Sequence, residues 1–323
     1  MTILVTGAAG FIGSHVSLKL LERGENVVGV DNLNDYYDIN LKKARLARLE
    51  GRDGFRFVKQ DVVDKDAMFA LVELNPDITG VIHLAAQAGV RYSLVNPFAY
   101  IHTNVMGHTV MVEAARKLPA LKHFVYASSS SVYGSNKEMP FSVEQRVEHP
   151  NSLYAATKRA DELISQTYAH LYKMPQTGLR FFTVYGPWGR PDMAAYIFAS
   201  KISAGEPIPV FNHGEMQRDF TFIDDIVEGV IAALDRPPQG DVPHRVYNLG
   251  NHRSEKLTDY IAYIEQALGK KAILDMRPLQ MGDVSATYAD IEVSRHDLGF
   301  EPMTPISEGI PLFIAWFRDY HKV

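Results

Sequence analysis

A chain of 323 residues, 46% apolar and 22% charged, is long enough to bury one or two sizeable cores and reads as a soluble globular protein. The formal net charge of −5 gives no electrostatic ground for nucleic acid or an anionic membrane as partner, and the lack of cysteine excludes disulfides and thiol catalysis. No leader precedes the first apolar run and no run reaches membrane-spanning length, so a cytoplasmic protein is expected.

Ile3-Leu4-Val5 predicts a buried strand and passes without a spacer into Thr6-Gly7-Ala8-Ala9-Gly10-Phe11-Ile12-Gly13. Apolar residues at Phe11, Ile12, Val16, Leu18, Leu20 and Leu21, followed by Gly24, predict a helix that begins inside the glycine turn. Val27, Val28 and Val30 give a second strand closing on Asp31. Glycines at such a turn let the backbone approach a pyrophosphate, which rests on the unpaired N–H groups and positive dipole end of the helix. A carboxylate at the end of the second strand accepts hydrogen bonds from ribose hydroxyls and repels a 2′-phosphate, so NAD is expected rather than NADP. Gly7, Gly10, Phe11, Ile12, Gly13, Asp31 and Asn32 are its expected neighbours. The spacing G-x-x-G-x-x-G is one residue longer than the usual fingerprint, and the surrounding strand, helix and acid give it weight.

Residues 32–37 are polar and turn-like, 40–49 predict a basic amphipathic helix, and 55–58 a third strand closing at Asp61-Val62. Residues 65–74 read as helix ahead of Pro76, and 80–84 as a fourth strand running into Ala85-Ala86-Gln87-Ala88, small residues that permit close approach of a cofactor. His83, inside that strand, is expected to be buried and satisfied. Residues 98–117 predict one long helix carrying Asn104, and 123–127 a fifth strand. This alternation implies an α/β fold of Rossmann type, a doubly wound parallel sheet with ligands at the C-terminal ends of its strands. After Tyr185 the texture changes to Gly186-Pro187-Trp188-Gly189-Arg190-Pro191 and shorter, proline-interrupted elements. Residues 1–185 are therefore expected to form the dinucleotide domain and 186–323 mainly a smaller substrate lobe, with segments near 220–250, including Val246-Tyr247-Asn248-Leu249, returning to the first sheet.

Ala127-Ser128-Ser129-Ser130-Ser131-Val132-Tyr133-Gly134 leaves the fifth strand, and Tyr154-Ala155-Ala156-Thr157-Lys158 falls in a helix expected over 151–172. Tyr154 and Lys158, four residues apart, project from one helix face. Taking hydride from a secondary alcohol requires removal of the hydroxyl proton, and a tyrosine with the ordinary pKa of about 10 is too protonated to do it at neutral pH. Lowering that value by about three units takes about 4 kcal/mol, whereas one nearby cation gives about 1–3 units. Two cations are suggested, the Lys158 ammonium and oxidised nicotinamide. Ser129 would hydrogen-bond the reacting oxygen.

TGAAGFIG, the serine run before VYG, and YAATK together resemble the extended short-chain dehydrogenase/reductase superfamily, in its NAD-dependent sugar-nucleotide epimerase and dehydratase branch, over nearly the whole chain. The resemblance implies tightly held NAD, a lobe for a nucleoside diphosphate sugar, Tyr154 as base with Lys158 as partner, and Ser129 in the serine or threonine position. It places the adenine amino group at Asp61-Val62, leaves Leu84, Ala85, Ala86, Gln87 and Asn104 around the cofactor, and suggests a homodimer through the helices near 98–117 and 151–172. Dehydratases of this branch carry an Asp-Glu pair where Ser130-Ser131 stand, and UDP-glucuronate decarboxylases a glutamate at Ser131. Without these carboxylates, oxidation and re-reduction at C4 remain, with NAD as catalyst.

The run LRFFTVYGPWGRPDM, from Leu179 to Met193, is most similar to UDP-glucuronate 4-epimerases, and galactose epimerases carry asparagine at Thr183. This similarity implies C4 interconversion of UDP-glucuronate and UDP-galacturonate, with Thr183, Ser129, Ser130, Ser131 and Arg190 near the sugar carboxylate and uracil near Pro209-Val210-Phe211. Arginine suits a diphosphate through planar bidentate donation, so Arg218 is expected there, with Arg277, ahead of Pro278 and Gly282-Asp283, as second arm. Asp224 and Asp225 read as helix-capping acids, and no metal is expected. The rival readings are a C4 epimerase of another UDP-sugar, a decarboxylase, and a dinucleotide-sensing regulator, which could dispense with Ser129, Tyr154 and Lys158.

Overall fold

The computed structural model describes residues 1–279 and 284–323. The first half alternates β1 (Thr2–Thr6), α1 (Phe11–Glu22), β2 (Asn26–Asp31), α2 (Ile39–Ala47), β3 (Phe55–Lys59), α3 (Lys65–Glu73) and β4 (Ile78–His83). Two short helices, α4 (Tyr92–Val95) and α5 (Pro97–Tyr100), then lead to α6 (Gly107–Arg116), β5 (His123–Ser129), α7 (Leu153–Tyr172) and β6 (Gln176–Phe181). Beyond them come β7 (Thr183–Tyr185), α8 (Ala194–Ala204), β8 (Pro207–Val210), β9 (Gln217–Arg218), β10 (Phe220–Phe222), α9 (Ile223–Leu234) and β11 (His244–Leu249). The chain ends through β12 (Glu255–Lys256), α10 (Leu257–Leu268), β13 (Ile273–Met276), α11 (Glu292–Leu298) and α12 (Ile306–His321).

Seven parallel strands form the central sheet in the order β11-β6-β5-β4-β1-β2-β3. This is the expected doubly wound Rossmann arrangement. Period-two alternation decides which residues face which layer. On β1, Ile3 and Val5 join the core beneath α1 and α9, whereas Leu4 joins the core beneath α3 and α6. Strand order reverses between β1 and β4, which opens a crevice at their C-terminal ends. The late strand β11 forms the far edge, paired with β6 from His244 opposite Gln176 to Leu249 opposite Phe181. Short pairs, β7 with β10, β8 with β13 and β9 with β12, build the wall facing that crevice.

The long helix expected over 98–117 runs unbroken from α5 into α6, with a π-helical turn, Ile101–Met106, inside it. The extra residue in that turn accompanies burial of Asn104, whose side chain is committed to neighbouring segments. Asp224 and Asp225 lie in the first turn of α9 but do not cap it: its N-cap is Phe222, and Asp225 accepts instead from the amides of Met303 and Thr304 at 3.0 and 3.1 Å. His83 is buried against Thr6 Oγ1 at 2.7 Å, and burial pushes it down to about 3, so it stays neutral. Among the described residues no helix is long and apolar enough to cross a membrane.

Candidate active site

A cavity of about 830 Å³ occupies the crevice. One end is the glycine turn. Gly7 has φ +72°, and a Cβ there would come within 2.9 Å of Ala85 N; a Cβ on Gly13 would fall 2.0 Å from Gly7 O. Only glycine fits at these positions, and the turn leaves the first N–H groups of α1, from Phe11 to Gly13, at the cavity wall with no helical partner. That cradle suits a pyrophosphate. Asp31, at the end of β2, accepts from Ala9 N at 3.2 Å and Leu33 N at 2.8 Å, and burial raises its pKa despite those bonds. Beside it Asn32 donates to Asp61 Oδ2 at 2.9 Å, and Asp61 also accepts from Val63 N at 3.1 Å. Val62, Leu84, Ala85, Ala86 and Gln87 continue the wall.

Asn104 does not line the cavity. It accepts from Gln87 N at 2.8 Å and donates to Gln87 O at 3.1 Å and Thr157 Oγ1 at 3.0 Å, so it fixes the loop after β4 against α7. The end of β5 and the 3-10 turn Ser130–Tyr133 bring Ser128 to Ser131 to the wall opposite the glycines. Ser128 is used up, donating to Glu162 Oε1 at 2.7 Å. Ser129 Oγ accepts from Ser131 N at 3.2 Å, and Ser130 and Ser131 face the cavity. Ser152 caps α7 through Ala155 N at 3.1 Å, which starts the helix just ahead of Tyr154. Tyr154 and Lys158 both reach the cavity, Tyr154 edge-on to Tyr100 at 6.0 Å. The lysine's stem runs on beneath β5: Lys158 Nζ donates to Ala127 O at 3.0 Å and pairs with buried Asp161 at 3.1 Å. Burial lifts Asp161 to about 6 even against that ammonium.

On the far wall Thr183 opens β7, its amide donating to Asp219 O at 3.1 Å. Arg190 lines the cavity, but its guanidinium is held bidentately by Asp192, which outweighs burial and raises its pKa; Asp192 in turn accepts from Tyr36 at 3.1 Å. Arg218 also lines it and braces the backbone of Val284 and Ser285 at 2.6 and 3.2 Å. Val210 and Arg277 depart from expectation. Val210 is a buried strand residue whose carbonyl accepts from Arg277 N at 2.8 Å, and its neighbours Pro209 and Phe211 face the cavity instead. Arg277 is half-exposed, paired with Asp275 at 2.6 Å, and off the cavity wall; Gly282-Asp283 lie outside the described residues. Two cavity residues carry no sequence signal. Arg91 places its guanidinium 4.6 Å from the centre of the Phe211 ring, and Lys42, a cation of the basic amphipathic helix expected over 40–49, is buried on Asn34.

A glycine-turned parallel sheet with serine, tyrosine and lysine in one cavity defines a dinucleotide-dependent enzyme of the short-chain dehydrogenase/reductase class. The pattern of the NAD dependent epimerase/dehydratase family matches residues 3–250, and the chain belongs to that family. It is 46% identical to UDP-glucuronate 4-epimerase 2 of Arabidopsis thaliana, over all of this chain and 77% of that one. It is 43% identical to a probable UDP-glucuronate 4-epimerase of Rhizobium meliloti, over 100% of this chain and 98% of the other. Among solved structures it resembles UDP-glucuronic acid 4-epimerase from Bacillus cereus in complex with UDP-glucuronic acid and NAD, with a TM-score of 0.92 and 34% identity, covering 99% of this chain and 100% of that one.

Proposed function

We propose that this chain interconverts UDP-glucuronate and UDP-galacturonate at C4 with NAD bound throughout. The observation that carries the reading is a single cavity in which Tyr154, Lys158 and the neutral hydroxyls of Ser129 to Ser131 face Thr183, in a chain matched end to end by UDP-glucuronate 4-epimerases. Gly7, Gly10, Phe11, Ile12, Gly13, Asp31, Asn32, Asp61, Val62, Leu84, Ala85, Ala86 and Gln87 hold the cofactor, and Asn104 acts through Gln87. NAD supplies reversible acceptance of hydride from the sugar C4. Tyr154 Oη takes the O4 proton as the hydride leaves and gives it back when C4 is reduced on its opposite face, so net redox is zero. Ser129 Oγ donates to O4, and Lys158, fixed by Ala127 and Asp161, holds positive charge beside the phenol.

Thr183, Ser130 and Ser131 donate to the sugar carboxylate, and Arg218 meets the diphosphate. Arg190, already bonded to Asp192, serves the carboxylate only as a nearby charge. Residues 1–185 with β11 hold the cofactor, and most of 186–323 holds the sugar nucleotide. The protein acts in the cytoplasm as a homodimer through α5, the π turn and α7, where Phe98, Ile101, Leu163 and Leu171 are exposed. Sedimentation of Phe98→Asp as an unchanged dimer would remove that interface.

The test is NMR of UDP-glucuronate with purified protein and no added reductant. UDP-galacturonate should appear to equilibrium, and Tyr154→Phe should slow it by about 100-fold or more, as loss of a general base does. A UDP-pentose as main product, or wild-type speed in Tyr154→Phe, would overturn the reading.

A further inference from the structure

Arg45 on α2 is wholly buried, and among the described residues no carboxylate pairs with it. Its guanidinium reaches three separate segments. Nε donates to Trp188 O at 2.9 Å and Nη2 to Gly189 O at 3.0 Å, while Nη1 donates to the Tyr37 hydroxyl at 2.6 Å and to Ala9 O, inside the glycine turn, at 3.4 Å. Burying a cation among neutral acceptors is costly, and an apolar side chain of similar volume would pack the same interface without that cost. The charge gains its return from position, because Ala9 belongs to the turn that cradles the pyrophosphate.

The loop it grips is held from outside as well. Trp188 has φ +64°, a left-handed conformation that tryptophan rarely adopts and that persists only where surrounding contacts over-determine it. Arg48 lies 4.9 Å from one of its rings, and Trp316 of α12 packs at 5.3 Å. Further along the same loop, Asp192 accepts from Tyr36, the neighbour of Tyr37. Of the adjacent tyrosines after β2, Tyr36 thus fastens the rim of the cavity to this loop directly and Tyr37 does so through Arg45, which also ties the loop to the glycine turn.

We propose that Arg45 is a positioning residue that straps the loop of Trp188 to Asp192 over the glycine turn and makes the bound dinucleotide slow to exchange. The inference rests on the NAD reading, and it suits a cofactor that ends each cycle in its starting state. Arg45→Lys keeps the charge but cannot span both loop carbonyls, and Tyr37→Phe removes one anchor. Each variant and the wild type are loaded with NAD, desalted, and chased with labelled NAD. The melting temperature of NAD-stripped protein and turnover at saturating NAD are measured alongside.

Exchange should be about tenfold faster in Arg45→Lys, the equivalent of one charge-assisted hydrogen bond, with activity lost on dilution restored by added NAD. Tyr37→Phe should show a smaller increase in the same direction. Folded variants that exchange NAD at the wild-type rate would overturn the strap, and so would a lowered melting temperature with unchanged exchange, which marks a purely structural role. If Arg45→Lys does not fold, Tyr37→Phe decides on the same criterion. A wild type that turns over without any bound NAD would sink the cofactor reading itself.

Discussion

Ser131 sits on the cavity wall in the turn after β5, and under the proposed reading a carboxylate there would face the sugar's own. Two like charges at close range repel, and a carboxylate there also supplies the helper that elimination or decarboxylation lacks. Ser131→Glu should lower kcat/KM for epimerisation by about tenfold or more, the cost of one hydrogen bond to a charged group replaced by repulsion, and should yield some UDP-pentose. Product analysis by NMR checks this; wild-type epimerisation with no pentose would mean that the serines do not face the sugar acid. Tyr154, Lys158 and the glycines were legible because helix period and the turn's backbone demands fix their local geometry, and the strands, helix and acid around them, with the family resemblance, give that geometry its meaning. The partners were not legible: Asp161 on Lys158, Asp192 on Arg190 and Asp275 on Arg277 are choices among rotamers, settled by packing. Arg91 lies in a loop of mostly small and apolar residues, Ala85 to Val90, and carries no period that could mark it.

Helix α7 anchors more than its tyrosine. Glu162, buried one turn beyond Lys158, accepts from Arg180 of β6 at 2.8 and 2.9 Å, from Ser128 of β5 at 2.7 Å and from Arg159 at 2.8 Å. Burial works against its charge, yet these donors prevail and hold its pKa below the ordinary value. Removing one member leaves a buried guanidinium unpaired, so Glu162→Gln should destabilise by about 3–5 kcal/mol in urea unfolding. A loss under about 1 kcal/mol would show that the pair is replaceable. At this scale the β-α alternation was readable because buried parallel strands and amphipathic helices have different periods. The π turn was not, since side-chain patterning hardly separates five-residue from four-residue hydrogen bonding. The short pairs β8 with β13 and β9 with β12 exist only once distant segments meet.

Across the whole molecule, acid should loosen the fold well above the carboxylate range. Burial pushes His83 to about 3, His123 to about 4 and His108 well below its ordinary value, so the folded state refuses protons that the unfolded chain binds below about 6.5. Their contribution to stability is present above that pH and is lost as pH falls toward the folded values. Asp161 and Asp219, raised by burial to about 6, act in the opposite sense, since the folded state binds their protons first. His15 and His244, also pushed down to about 4 by burial, act with the other histidines. Five histidines against two carboxyls leave a net uptake of about three protons on unfolding, so stability should drop by roughly 4–7 kcal/mol between pH 7 and pH 5. A urea midpoint that is flat or rises on acidification would contradict this. The central claim is that one hydrogen leaves C4 and returns to the same carbon from the other side. UDP-glucuronate carrying deuterium at C4, incubated with the protein in ordinary water, tests it directly. The account expects UDP-galacturonate with deuterium still at C4; label washed out into solvent would contradict it.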